Sequence, residues 1–152
     1  MREILFRGKR VGSEEWVEGF YLTSPEFDNQ EVAVITTDKP RNPYYVSKET
    51  IGQYTGLTDK NGTKIFEGDI IKYTRTNMYA PDCSFHKKDL VSIHLVLWDS
   101  SVSAFVQQHY SLNDKRIVGK GSAVLYDNRA KENIVEVIGN IHDNRELLKE
   151  SK

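Results

Sequence analysis

Gly52-Gln53-Tyr54-Thr55-Gly56-Leu57-Thr58-Asp59-Lys60-Asn61-Gly62-Thr63-Lys64-Ile65-Phe66-Glu67-Gly68-Asp69-Ile70-Ile71-Lys72-Tyr73 is the stretch that decides the fold. Asn61-Gly62 is a tight-turn dipeptide, because both residues tolerate positive φ. Glu67-Gly68-Asp69 turns the chain again, and Ile70-Ile71-Lys72-Tyr73 then reads as a short buried strand. In this reading Gly56, Gly62 and Gly68 sit at turns while Tyr54, Phe66 and Ile70 supply packing.

Downstream the same pattern continues. Leu90 to Trp98 reads as a longer strand, with Val91, Ile93, Leu95 and Leu97 on one side and Val96 and Trp98 on the other. Apolar residues on both sides predict a strand buried on both faces. Ala104-Phe105-Val106, Ala123-Val124-Leu125-Tyr126 and Ile134 to Ile141 are further strands, with Gly139 at a turn. Near the C-terminus, Asp143 and Glu146 have capping-box spacing before Leu147-Leu148, which predicts a short helix that needs docking to be stable.

Upstream, Glu3 to Arg7 and Trp16 to Leu22 predict an antiparallel hairpin, with Gly19 a bulge or close-approach point. Glu31 to Thr37 is β-branched and reads as a third strand. Pro40 and Pro43 break the pattern, Tyr44-Tyr45-Val46 resumes it, and Ser47 caps one helical turn. The fold class is therefore mainly β. Residues 1–57 form an N-terminal β region and residues 58–152 a second part.

The composition of the 152 residues narrows the function classes. With 21 Lys+Arg against 22 Asp+Glu, no overall basic excess exists to neutralise phosphates. A single Cys rules out an intramolecular disulfide framework and fits a reducing compartment. No run approaches about 18 apolar residues, and the chain opens on strand-like residues rather than a signal peptide. A cytoplasmic protein that does not contact membranes is expected.

Between Tyr73 and Leu90 no strand pattern is visible, although Met78, Tyr79, Pro81, Cys83 and Phe85 lie there. Connections beyond about 12–15 residues are often functional. Met78, Tyr79, Phe85, Lys87 and Lys88 form the candidate interaction loop.

Aligning Gly62 with the glycine of a calcium loop puts Leu57 at the first ligand position and Gly68 at the last, so the match fails. Cys83 and His86 make half a zinc site, with Asp82 beside them; His94 and His109 are the residues that neighbouring strands offer to complete it, but no spacing requires this and only one paired ligand cluster is visible. Gly119-Lys120-Gly121-Ser122 lacks the first glycine of a phosphate loop, since Asp114 occupies that position. Glu67, Asp69 and His142 are the best candidates for a metal-dependent hydrolase, but no nucleophile, base and orienting group converge. No catalytic residue, metal or cofactor is expected, and the protein is read as not an enzyme.

Three blocks of sequence resemble a known family. They are Arg2 to Lys9 with Trp16-Val17-Glu18-Gly19, then Ile51 to Gly62 with Ile65 to Ile71, and finally Val137-Ile138-Gly139-Asn140-Ile141-His142-Asp143-Asn144 before Glu146-Leu147-Leu148. Together they resemble the YopX family of phage and prophage proteins. The signature positions are Gly52, Gln53, Tyr54, Thr55, Gly56, Leu57, Asp59, Gly62, Gly68, Asp69, Gly139 and Asn140. The resemblance implies phage origin, a small SH3-type barrel in the C-terminal part beginning at Ile70 to Tyr73, and homo-oligomerisation. It carries no catalytic residues. The expected function is a non-enzymatic binding or assembly module, with a phage or host protein as the further partner. The alternative is a nucleic-acid-binding accessory protein using Arg75, Lys87 and Lys88 with Tyr79 and Phe85; Arg7, Lys9 and Arg10 form a further short basic cluster.

Overall fold

The computed structural model describes residues 3–24, 32–37, 43–77, 88–111, 116–117, 123–124 and 135–148. These form twelve strands and two 3₁₀ turns, mainly β as the alternation predicts. The chain divides into two compact units, Met1–Gly56 and Leu57–Lys152.

In the first unit, β1 (Phe6–Lys9) and β2 (Trp16–Ser24) form the expected antiparallel hairpin, with Phe6 opposite Gly19 and Lys9 opposite Trp16. β3 (Val32–Thr36) pairs with β2, placing Val34 opposite Leu22, and β4 (Tyr44–Tyr45) follows with Tyr45 opposite Val34. β5 (Gly52–Thr58) pairs with β1 on its other side. Ala33, Ile35 and Val46 are buried beneath this sheet, packed by Phe6, Val17, Tyr21 and Ile51. Gly19 is a point of close approach, because a β-carbon there would overlap the Thr36 carbonyl of the next strand. Ser47 does precede a 3₁₀ turn (Lys48–Thr50), but its hydroxyl bonds the Glu49 carboxylate at 2.7 Å rather than a backbone N–H. The turn is instead tied to β1 by Thr50, whose Oγ1 accepts the Lys9 N–H at 2.9 Å.

In the second unit, β6 (Lys64–Phe66) follows the Asp59–Thr63 turn as the neighbour of β5. The remaining strands are β7 (Asp69–Asn77), β8 (Lys88–Asp99), β9 (Ala104–Ser111), β10 (Arg116–Ile117), β11 (Ala123–Val124) and β12 (Val135–Asn140). Their order is β10-β9-β8-β7-β12, all antiparallel, with β11 also on β9. The central strands are buried on both faces, as the sequence of β8 requires. Ile71 and Val96 point to one cluster with Ile65 and Val135; Ile70 and Leu95 point to the other with Leu148. A bulge between Val137 and Gly139 leaves Ile138 as the extra residue, and it packs against the Ile70 cluster. The outer residues of β8 differ from expectation: Val91 and Trp98 are about half exposed. The Trp98 ring packs edge-on against cross-strand Phe105, with centroids 5.0 Å apart.

Other expectations are corrected. Gly56 lies inside β5 and Gly139 inside β12, not at turns. The connection between Tyr73 and Leu90 is shorter than its composition suggests, because β7 runs to Asn77 and β8 begins at Lys88, paired to each other. Thr74 and Thr76 favour an extended backbone, but polar residues at successive positions hide the period-two signal. Lys88 is therefore a strand residue, while Met78, Tyr79, Phe85 and Lys87 lie outside the described residues. The C-terminal helix is a four-residue 3₁₀ turn, Arg145–Leu148, preceded by Asn144. Among the described residues there is no closed barrel of SH3 type: the second sheet is open, with β12 and β10 at its ends. No helix among the described residues is long and apolar enough to cross a membrane.

The Gly19 contact gives a direct test. Gly19→Ala should destabilise the protein by about 1–3 kcal/mol by forcing β2 and β3 apart, read as a lower urea midpoint. A midpoint equal to that of the wild type would contradict the close packing of these strands.

Candidate functional site

The signature residues sit where chain segments are fastened together. At the β5–β6 turn, the Gly62 N–H donates to the Asp59 carbonyl at 3.0 Å and the Asp59 N–H to the Thr63 carbonyl at 2.8 Å. Gly62 has φ +83°, and Asn61 keeps negative φ. The connection is thus a three-residue loop with glycine in the left-handed position, not the two-residue turn that Asn-Gly predicts. The Asp59 side chain explains this choice. Its Oδ1 accepts the N–H groups of Asn61 (2.8 Å) and Thr63 (2.9 Å), and its Oδ2 accepts the Val137 N–H (3.0 Å) from β12.

Asp59 is only 5% exposed. Burial raises its pKa, but the N–H groups of Val137, Thr63 and Asn61 outweigh that effect and hold the carboxyl below its ordinary 3.8. Beside it, Lys60 reaches Glu136 of β12 at 2.8 Å and donates its backbone N–H to the Val135 carbonyl at 3.0 Å. The Lys60 contact holds the Glu136 carboxyl below its usual range.

The second fastening is the Glu67-Gly68-Asp69 turn. Gly68, at φ +81°, donates its N–H to Val96 of β8 and accepts from Ile141 beyond β12. Asp69 is fully buried and its Oδ2 accepts the Phe66 N–H at 2.7 Å, while Glu67 accepts the Trp98 N–H at 3.3 Å. The third is Asn140, whose Oδ1 accepts the His142 and Asp143 N–H groups, both at 2.9 Å, and whose amide donates to the Asp143 carboxylate. A β-carbon on Gly139 would lie 2.5 Å from Asn144 Oδ1, so this corner admits only glycine without displacement.

The chain thus gathers its signature carboxylates and amides around backbone groups, which fasten turns and strand ends together. Glu67, Asp69 and His142 do come near one another at the Gly68 turn, yet both carboxylates accept backbone N–H groups. Among the described residues no group of three His, Cys, Asp or Glu is arranged to hold a metal ion. Asp82, Cys83, His86 and the Gly119–Ser122 run lie outside the described residues.

A family model described as YopX protein matches residues 5–149. The chain belongs to the YopX family. The crystal structure of protein EF1440 from Enterococcus faecalis is similar to it, with 26% identity and a TM-score of 0.55, over 98% of this chain and all of that one. No curated protein matches the chain. Within this YopX chain, Gly52 and Tyr54 are buried in β5 and Gln53 pairs with Phe6; Thr55 is also buried and Leu57 packs on the Ile71 cluster.

The surface that sequence reasoning missed lies on the first unit. Leu22, Val34 and Tyr45 stand in register across β2, β3 and β4, with Phe20 on the same face. Phe20 is 53%, Leu22 54% and Tyr45 44% exposed, while Val34 between them is buried. Further along this face, Arg7 and Lys9 lie over the Trp16 ring at 4.8 and 5.8 Å, and Arg7 stands opposite Glu18. The signal was available: β2 carries Val17, Gly19 and Tyr21 inward, so its other side, Trp16, Glu18, Phe20 and Leu22, faces outward. The neighbouring basic residues are ion-paired. Lys9 pairs with Glu14 at 3.1 Å, and Arg10, stacked on Tyr44, pairs with Glu15 at 3.0 Å.

Because its folded pKa is depressed, Asp59 contributes stability at neutral pH that is lost as pH falls from its ordinary value through the lower folded one. Asp59→Ala should cost about 2–4 kcal/mol at pH 7, and its deficit relative to the wild type should shrink as the solution is taken below about pH 4. Urea titrations at a series of pH values check both; a pH-independent deficit would show that the charge is not what matters.

Proposed function

We propose that the chain is a non-enzymatic binding and assembly module of phage origin that self-associates through the outer face of its first sheet, in the reducing cytoplasm of a bacterial host. The observation that carries this reading is the contiguous row of Phe20, Leu22 and Tyr45 around Val34. Single exposed apolar side chains need no explanation, but contiguous ones rimmed by polar residues mark interaction sites. A second copy suits this face better than nucleic acid does. Arg7 and Glu18 stand side by side, so the rim carries both signs and is self-complementary about a two-fold axis. A net charge of −1 adds little repulsion between copies. Two such sheets would pack face to face, interleaving aromatic and aliphatic side chains.

Size-exclusion chromatography with light scattering tests the proposal at low and high salt. The wild type should run as a discrete oligomer at both, and the Phe20→Ser/Leu22→Ser/Tyr45→Ser variant near the 17.5 kDa of one chain with its β spectrum intact. A wild-type monomer at both salts, or a folded triple variant of unchanged mass, would overturn it.

A further inference from the structure

An edge strand exposes unpaired N–H and C=O groups that template pairing with another chain. Among the described residues β12 is such an edge, since it pairs with β7 on one side and ends the sheet. Two of its outward groups are nevertheless occupied. The Val137 N–H donates to Asp59 Oδ2 at 3.0 Å, and the Val135 carbonyl accepts the Lys60 N–H at 3.0 Å. Between them, Glu136 is held by Lys60 at 2.8 Å and approached by Lys72 at 3.7 Å. A carboxylate and one N–H of a turn therefore stand where the carbonyl and N–H of a neighbouring strand would stand.

We propose that the Asp59–Lys60 turn is an edge cap, which closes β12 against strand addition by a second copy of this chain. Three features fit that role better than general support of the sheet. The bonds go to one outward donor and one outward acceptor of β12, groups of the kind that strand addition uses. Asp59 offers only an acceptor and cannot continue a ladder of alternating donors and acceptors. The bulge between Val137 and Gly139 distorts the same edge, a second device that blocks regular pairing. The cap leaves face-to-face packing as the route for ordered assembly. The inference itself rests on β12 alone and not on the assembly reading above.

The test compares the solution mass of each variant with that of the wild type over a hundredfold range of concentration. Asp59→Asn keeps an acceptor for Asn61 and Thr63 but turns an amide donor toward the Val137 N–H. Lys60→Pro removes the N–H that covers Val135 and the ion pair with Glu136, at a turn position where proline is favoured. Leu95→Ala weakens the same sheet from its buried face without opening the edge. The cap predicts that the folded Asn or Pro variant grows in mass with concentration beyond the wild type, at least doubling at the top of the range, while Leu95→Ala tracks the wild type. If one of the two edge variants does not fold, the other decides. Folded edge variants that keep the wild-type mass, or a Leu95→Ala protein that associates as strongly, would overturn the proposal.

Discussion

The carboxylate of Asp59 accepts backbone N–H groups from its own turn and from Val137 of β12, 78 positions further along the chain. A buried carboxylate is costly unless each oxygen is satisfied. Here the turn between β5 and β6 must fold back on itself to present Asn61 and Thr63, and β12 must lie alongside to present Val137. One side chain therefore specifies a loop conformation, a strand position and the state of a sheet edge. The rest of the second unit is arranged around that constraint. Lys60 follows Asp59 onto β12, and Leu57 and Val137, flanking this junction, pack on the Ile65–Ile71–Val96–Val135 cluster.

The same economy appears at the other signature residues. Asp69 and Asn140, in register across β7 and β12, spend their side chains on turns at neighbouring corners. With polar groups committed in this way, the apolar residues of β7 and β8 are left to divide between two clusters, Ile70 and Leu95 on one face and Ile71 and Val96 on the other. A motif rich in Asp, Asn and Gly is thus a set of backbone fastenings. The candidate interaction surface is carried by β2, β3 and β4, where Phe20 and Tyr45 reach solvent.

Much of this was legible in the sequence, and what was not has identifiable physical causes. The hairpin of β1 and β2, the double-sided burial of β8 and the turns at Gly62 and Gly68 all follow from alternation and turn chemistry. The turn at Asn61-Gly62 was found but its type was not, because the choice is made by the Asp59 carboxylate through contacts within the turn and with a distant strand. The extension of β7 to Asn77 escaped because Thr74 to Asn77 show no apolar face. The face of Phe20, Leu22 and Tyr45 escaped because an apolar residue in a strand reads as core whichever side it occupies. Only the pairing of β2 with β3 and β4 shows that this side is outward.

The central claim is that Asp59 holds β12 as well as its own turn. Amide hydrogen exchange by NMR on the wild type and Asp59→Asn tests it most directly, residue by residue. The account predicts that Val137 exchanges slowly in the wild type and loses at least tenfold protection in the variant, while Ile71 and Val96 in the central strands keep theirs. Equal protection of Val137 in the two proteins would contradict it, because the edge of the sheet would then be held by something other than this carboxylate.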